Sequence, residues 1–258
     1  MSSFTKKLIA KLAFAASALV SGTAMATPVG LELVLLVDVS GSVSTTEYNL
    51  QKTGYANAFN SAAVQNAILG SQGGGIAVTY VEWSGAGQFA TKVGWTLINS
   101  ITSANSFASA ISGVTRSFSG NTGLQSALFD AINLFGTETG ASSNGYESLR
   151  QVIDVSGDGA RNTGLANGVG RDAALAAGVD TINGIFIAGE TGLAAHYNSF
   201  VKGGSNAFVA QADSFDDFGT AIQAKLIKEI TNDVPEPMSA LLFALGLLGF
   251  GMARRRKA

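Results

Sequence analysis

Asp38-Val39-Ser40-Gly41-Ser42 places one carboxylate and two hydroxyls at alternate positions, immediately after an apolar run from Leu31 to Val37. Alternation lets the three oxygen-bearing side chains converge on one point. An all-oxygen set suits a hard divalent cation, and magnesium takes about six oxygen ligands while keeping several waters. The same residue types cap helices and make turns, so the string alone leaves both roles open.

Other chemistries find less support. The chain has no cysteine, which excludes disulfides, thiolate nucleophiles and Cys-ligated zinc. His196 is its only histidine and no G-x-S-x-G elbow is present, so His196 is expected on a helix surface and no enzyme activity is expected. Gly157-x-Gly159 and Gly168-x-Gly170 are incomplete as dinucleotide fingerprints. Trp83 and Trp95 read as packing residues. Asp213, Asp216 and Asp217 read as cap and dipole partners of the last helix, a second calcium site being the alternative.

Charge narrows the partners. Of 258 residues, residues 27–234 hold nine basic against seventeen acidic side chains, a net charge of −8. Such a body repels phosphate, and no nucleic-acid partner is expected.

The elements that must position the oxygens follow from periodicity. Leu31 to Val37 is nearly continuous in apolar residues, as in a central parallel strand covered on both faces, and it ends at Asp38. Ser44 with Glu47 forms a capping box, and Tyr48, Tyr55, Phe59 and Ala62 recur at helical spacing. Residues 76–83 and 89–98 read as a hairpin turning through Ser84 to Gly87 at a sheet edge. A short helix is predicted over 107–114. Leu124, Leu128, Ala131 and Phe135 mark another helical face. Residues 149–155 read as a strand ending in Ser156-Gly157-Asp158-Gly159. Helices near 167–177 and 193–201, strands near 181–188 and 207–212, and a last helix from Phe215 complete the body. This alternation predicts an α/β fold with a doubly wound, mostly parallel sheet and an antiparallel edge strand, ligands gathering beyond the carboxyl ends of the strands.

On these residues the body resembles the von Willebrand factor A family. D-x-S-x-S after the first strand resembles its metal-ion-dependent adhesion site, Gly120-Asn121-Thr122-Gly123 its threonine loop, and Asp158 its distal aspartate. The resemblance spans about residues 31 to 230, nearest to an uncharacterised bacterial branch. It implies a metal site of Asp38, Ser40, Ser42, Thr122 and Asp158. The three hydroxyls would bind Mg2+ directly, with Mn2+ or Ca2+ as alternatives, and the two carboxylates would act mainly through water. An acidic group of a protein or polysaccharide partner would complete the shell. One departure stands out: many members place the distal aspartate in a Thr-Asp-Gly string, whereas here Asp158 follows Ser156-Gly157. Asp154 is expected to be buried and hydrogen-bonded, to Arg150 or a nearby hydroxyl.

Both ends read as addresses. Lys6, Lys7 and Lys11, an apolar run from Leu12 to Val20 and Ala24-Met25-Ala26 make residues 1–26 a signal peptide for signal peptidase. Residues 27–233 form the body. Residues 234–258 open with Val234-Pro235-Glu236-Pro237, continue through an apolar stretch over 238–253 and end in Arg254-Arg255-Arg256-Lys257. That stretch spans roughly 24 Å as a helix, short of a hydrocarbon core of roughly 30 Å. The layout resembles the PEP-CTERM sorting signal of Gram-negative bacteria. The resemblance implies transient residence of 238–253 in the inner membrane, cleavage by an exosortase, and delivery to the cell surface or extracellular matrix. An adhesion module is the leading expectation, and a structural matrix component the alternative.

Overall fold

The computed structural model describes residues 26–231, so the expected leader and the sorting segment over 234–258 lie outside the described residues. Strand β2 (Glu32–Asp38) is buried along its whole length. It runs between β3 (Ile76–Trp83) and β6 (Gln151–Gly157), parallel to both. On the far side of β3 lies the antiparallel β4 (Phe89–Ile98). Beyond β6 come β7 (Thr181–Ile187), parallel, and β9 (Val209–Ala212), parallel to β7; the two-residue β8 (Gly203–Gly204) pairs with the start of β7. The expected doubly wound sheet with an antiparallel edge is present. Two three-residue strands, β1 (Thr27–Val29) and β5 (Tyr146–Ser148), pair separately and were not anticipated.

Successive residues of β2 serve opposite cores, which is why the strand reads as uninterrupted apolar sequence. Leu33, Leu35 and Val37 pack with α1 (Thr45–Asn60), α2 (Ala62–Leu69), α3 (Ile101–Ser112) and α7 (Phe218–Thr231) through Tyr55, Phe59, Phe107 and Phe218. Val34 and Leu36 pack with Leu124 and Leu128 of α4 (Leu124–Ala131), Ala174 of α5 (Val169–Ala177) and Tyr197. Tyr197 opens a π-helical turn, Tyr197–Val201, that continues the short α6 (Leu193–His196).

Three boundaries move for local reasons. Ser61 adopts an extended conformation and caps α2, splitting what the apolar spacing joined through Ala62. Helix α3 starts six residues before Phe107, because Ser100 and Ser103 form a capping box without a glutamate. Leu149, expected in the strand, is an exposed residue ahead of β6. The tryptophans behave as expected: Trp83 is buried, and Trp95 packs on Phe135 while donating to the Leu134 carbonyl at 2.9 Å.

Candidate metal centre

Strand register assembles the centre. In the parallel ladder Val37 pairs with Ser156, so Asp38 lies level with Gly157 and Asp158 stands one step further, at the carboxyl end of the sheet. Ser42 Oγ donates to Asp158 Oδ1 at 2.7 Å and lies 3.1 Å from Ser40 Oγ. Thr122 Oγ1 donates to Ser40 Oγ at 3.5 Å. Three separate loops thus contribute to a chain of oxygens, Thr122–Ser40–Ser42–Asp158. Asp38 sits beneath it, wholly buried, with Oδ1 accepting from the Ser40 N–H at 2.7 Å and Oδ2 unpaired among the described residues. All five residues singled out from sequence are brought together.

The loops are held by groups that sequence reasoning did not find. Arg116 Nη2 donates to the carbonyls of Val39 and Ser40 at 2.9 and 2.7 Å, while its Nε donates to Phe118 O at 2.8 Å. Gly41 N–H donates to Gly120 O at 2.7 Å. Ser84 Oγ accepts from Gly120 N–H and donates to Asn121 O. Asn162 Oδ1 accepts the Thr122 N–H. The one available signal was Arg116 itself, the sole basic residue between Lys92 and Arg150. The Ser44–Glu47 capping box forms as expected and starts α1 immediately after the loop.

Burial pushes the Asp38 carboxyl up to about 7; the Ser40 N–H opposes this, and the nearby Asp158 adds to it. Asp158 is also raised, by burial first, against the Ser42 hydrogen bond. Two carboxylates that resist ionising together, one with an unpaired buried oxygen, fit a site that a divalent ion would neutralise. The donors are oxygen only, which matches magnesium or calcium better than softer metals. Among the described residues no three His, Asp or Glu side chains cluster as a metal group. A cation here would therefore depend on hydroxyls as much as on charge.

Beside the centre lies a groove of about 580 Å³, lined by Glu47, Asp158, Glu190, Asp213 and Asp216 together with Ser44. Glu190 Oε2 accepts the Ala160 N–H at 2.8 Å, which holds it next to the Asp158 loop. Asp217 Oδ2 accepts from the Ser214 hydroxyl in the turn ahead of α7 rather than from a helix N–H, and Asp213 and Asp216 line the groove. Asp154 is buried as expected but its partner differs: Lys225 Nζ lies 2.6 Å away, and Arg150 instead donates to the Glu229 carbonyl. Period two carries Asp154 to the sheet face of α7, and the turn after Gly157 separates it from Asp158. His196 is half-buried against Phe200 and Tyr197, and burial lowers its pKa.

The doubly wound sheet is the fold shared with solved von Willebrand A structures. Solved structures agree on the fold. Proximal thread matrix protein 1 from the mussel byssus matches at 17% identity with TM-score 0.58 over 80% of this chain and 49% of that one. Its form described as having a zinc-occupied MIDAS motif matches at 16% identity and TM-score 0.59, with the same coverage of both chains. The von Willebrand factor type A protein from Catenulispora acidiphila matches at 13% and 0.54, over 78% of this chain and 43% of that one. The chain thus spans about half the length of the mussel protein. The chain belongs to the family described as "Protein of unknown function (DUF1194)", whose profile matches residues 28–234. The PEP-CTERM protein-sorting motif matches residues 233–257. No curated protein matches the chain.

Proposed function

We propose that the protein is an exported, non-enzymatic binding module. Asp38, Ser40, Ser42, Thr122 and Asp158 hold a divalent cation, Mg2+ before Mn2+ or Ca2+, that grips an acidic group of a protein or polysaccharide. The observation that carries this reading is the continuous chain of oxygens from three loops above the buried, half-paired Asp38. A similar fold with a zinc-occupied MIDAS motif supports a divalent cation in general. The ion supplies an electrophilic open position; the side chains orient it and leave it only partly neutralised. The acidic groove alongside favours a ligand that carries a positive charge next to its metal-binding carboxylate. Chelation tests the reading: EDTA abolishes capture of surface material in a pull-down while circular dichroism shows the fold retained. Capture indifferent to EDTA favours the matrix-component reading instead.

The sorting motif supports export, with exosortase as the processing partner. Among the described residues no helix is long and apolar enough to cross a membrane, and the apolar stretch over 238–253 lies outside them. Processing predicts that mass spectrometry of the exported protein finds a C-terminus upstream of Arg254. An intact Arg254 to Lys257 tail at the cell surface would mean a permanent anchor instead.

A further inference from the structure

Tyr197 is wholly buried, and among the described residues its hydroxyl has no hydrogen-bond partner. A Cβ on Gly157 would lie 2.7 Å from that hydroxyl and 2.8 Å from Asp38 Oδ2, the other unpaired oxygen of the centre. A buried donor and a buried acceptor therefore flank the same point beside one glycine. On β7, a Cβ at Gly184 would come 2.7 Å from Tyr197 Cδ1. Gly184 pairs with Val155, two residues before Gly157, so both bare positions lie on one face of the sheet. They open a slot through which the ring passes toward Asp38. The phenol passes two glycines and ends near an unpaired carboxylate oxygen, whereas phenylalanine would fill the same slot without a buried polar atom.

We propose that Tyr197 is a positioning residue of the metal centre: its hydroxyl donates to one bridging water, which in turn donates to Asp38 Oδ2. Oδ1 is already fixed by the Ser40 N–H. A donor at Oδ2 locks the remaining rotation of the carboxylate, so that Asp38 meets the cation's shell in one orientation. This rests on the metal-centre reading above. It also accounts for the glycine before Asp158: a side chain at 157 would crowd both the phenol and the carboxylate oxygen, which lie 2.7 and 2.8 Å from where its Cβ would stand. Partners behind a metal centre typically matter by about 10- to 100-fold in affinity.

The test compares the full chain with Tyr197→Phe, which keeps the ring and removes one oxygen. Calorimetry with Mn2+ is expected to show the variant binding about 10- to 100-fold more weakly, with an altered Mn2+ EPR line shape and an unchanged circular dichroism spectrum. Affinity within about twofold of wild type overturns the inference while leaving the metal centre standing. A wild-type chain that binds no divalent ion overturns both. Should the variant not fold, the wild type still decides: with 13C-labelled tyrosine, the Cζ resonance of Tyr197 moves along the Mg2+ binding curve if the hydroxyl serves Asp38. A resonance that stays fixed through saturation rejects the role.

Discussion

Asp38→Ala abolishes divalent-cation binding: titrated with Mg2+ in a calorimeter, the variant gives no saturable heat under conditions where the wild type titrates. Two carboxylates and three hydroxyls face the site, so the substitution halves its formal charge. Magnesium dehydrates reluctantly, and neutral hydroxyls cannot replace the lost attraction. Changes merely behind a metal centre cost about 10- to 100-fold, which sets a floor for removing Asp38 itself. The fold tolerates the change, because the deleted carboxylate is a buried group whose charging is opposed by its surroundings. Asp38→Asn separates charge from shape; it keeps the side-chain outline and loses the affinity as well. Unchanged Mg2+ affinity in both variants would remove Asp38 from the site and leave the oxygen cluster as loop architecture.

The sequence-readable parts of this centre are local or linear. Strand β2 was legible because burial on both faces produces an apolar run that needs no partner to be recognised. Asp38, Ser40 and Ser42 were legible because five adjacent residues hold them. Thr122 and Asp158 carry no such local signature; only their resemblance to a known pattern brought them forward. Arg116 and Ser84 reach the loops from positions distant in sequence, at 76 residues' separation for Arg116 and Ser40. No periodicity encodes such pairings. Tyr197 was invisible for a further reason: its role depends on two glycines on separate strands, whose meaning is the space they leave. The partner of Asp154 is not legible in the sequence, because the nearest base along the chain, Arg150, turns to a helix carbonyl, whereas Lys225 arrives from the last helix.

Lys225→Met is expected to lower the stability of the domain by about 3–5 kcal/mol, the usual cost of removing one partner from a buried ionic network. Lys225, Asp154 and Glu229 are all fully buried, with Lys225 Nζ bridging Asp154 Oδ1 and Glu229 Oε1. Two carboxylates share one ammonium, and Asn183 Nδ2 donates to Glu229 at 2.9 Å. Burial first, and the nearby Asp154 second, raise the Glu229 carboxyl to about 8. Between the ordinary glutamate range and about 8 the folded state therefore keeps a proton that the unfolded chain has released, so stability falls as pH rises through that window. One such proton gives a slope of up to about 1.4 kcal/mol per pH unit. Glu229→Gln mimics the protonated acid, retaining an acceptor for Lys225 and Asn183 but having nothing to titrate. Urea unfolding from pH 5 to 8 should then show a shallower decline in the glutamine variant, with its stability overtaking wild type at the alkaline end. Parallel curves for the two proteins would place the proton elsewhere. A loss below about 1 kcal/mol in Lys225→Met, where severed buried pairs cost about 3–5, would mean that the two acids are satisfied without the lysine.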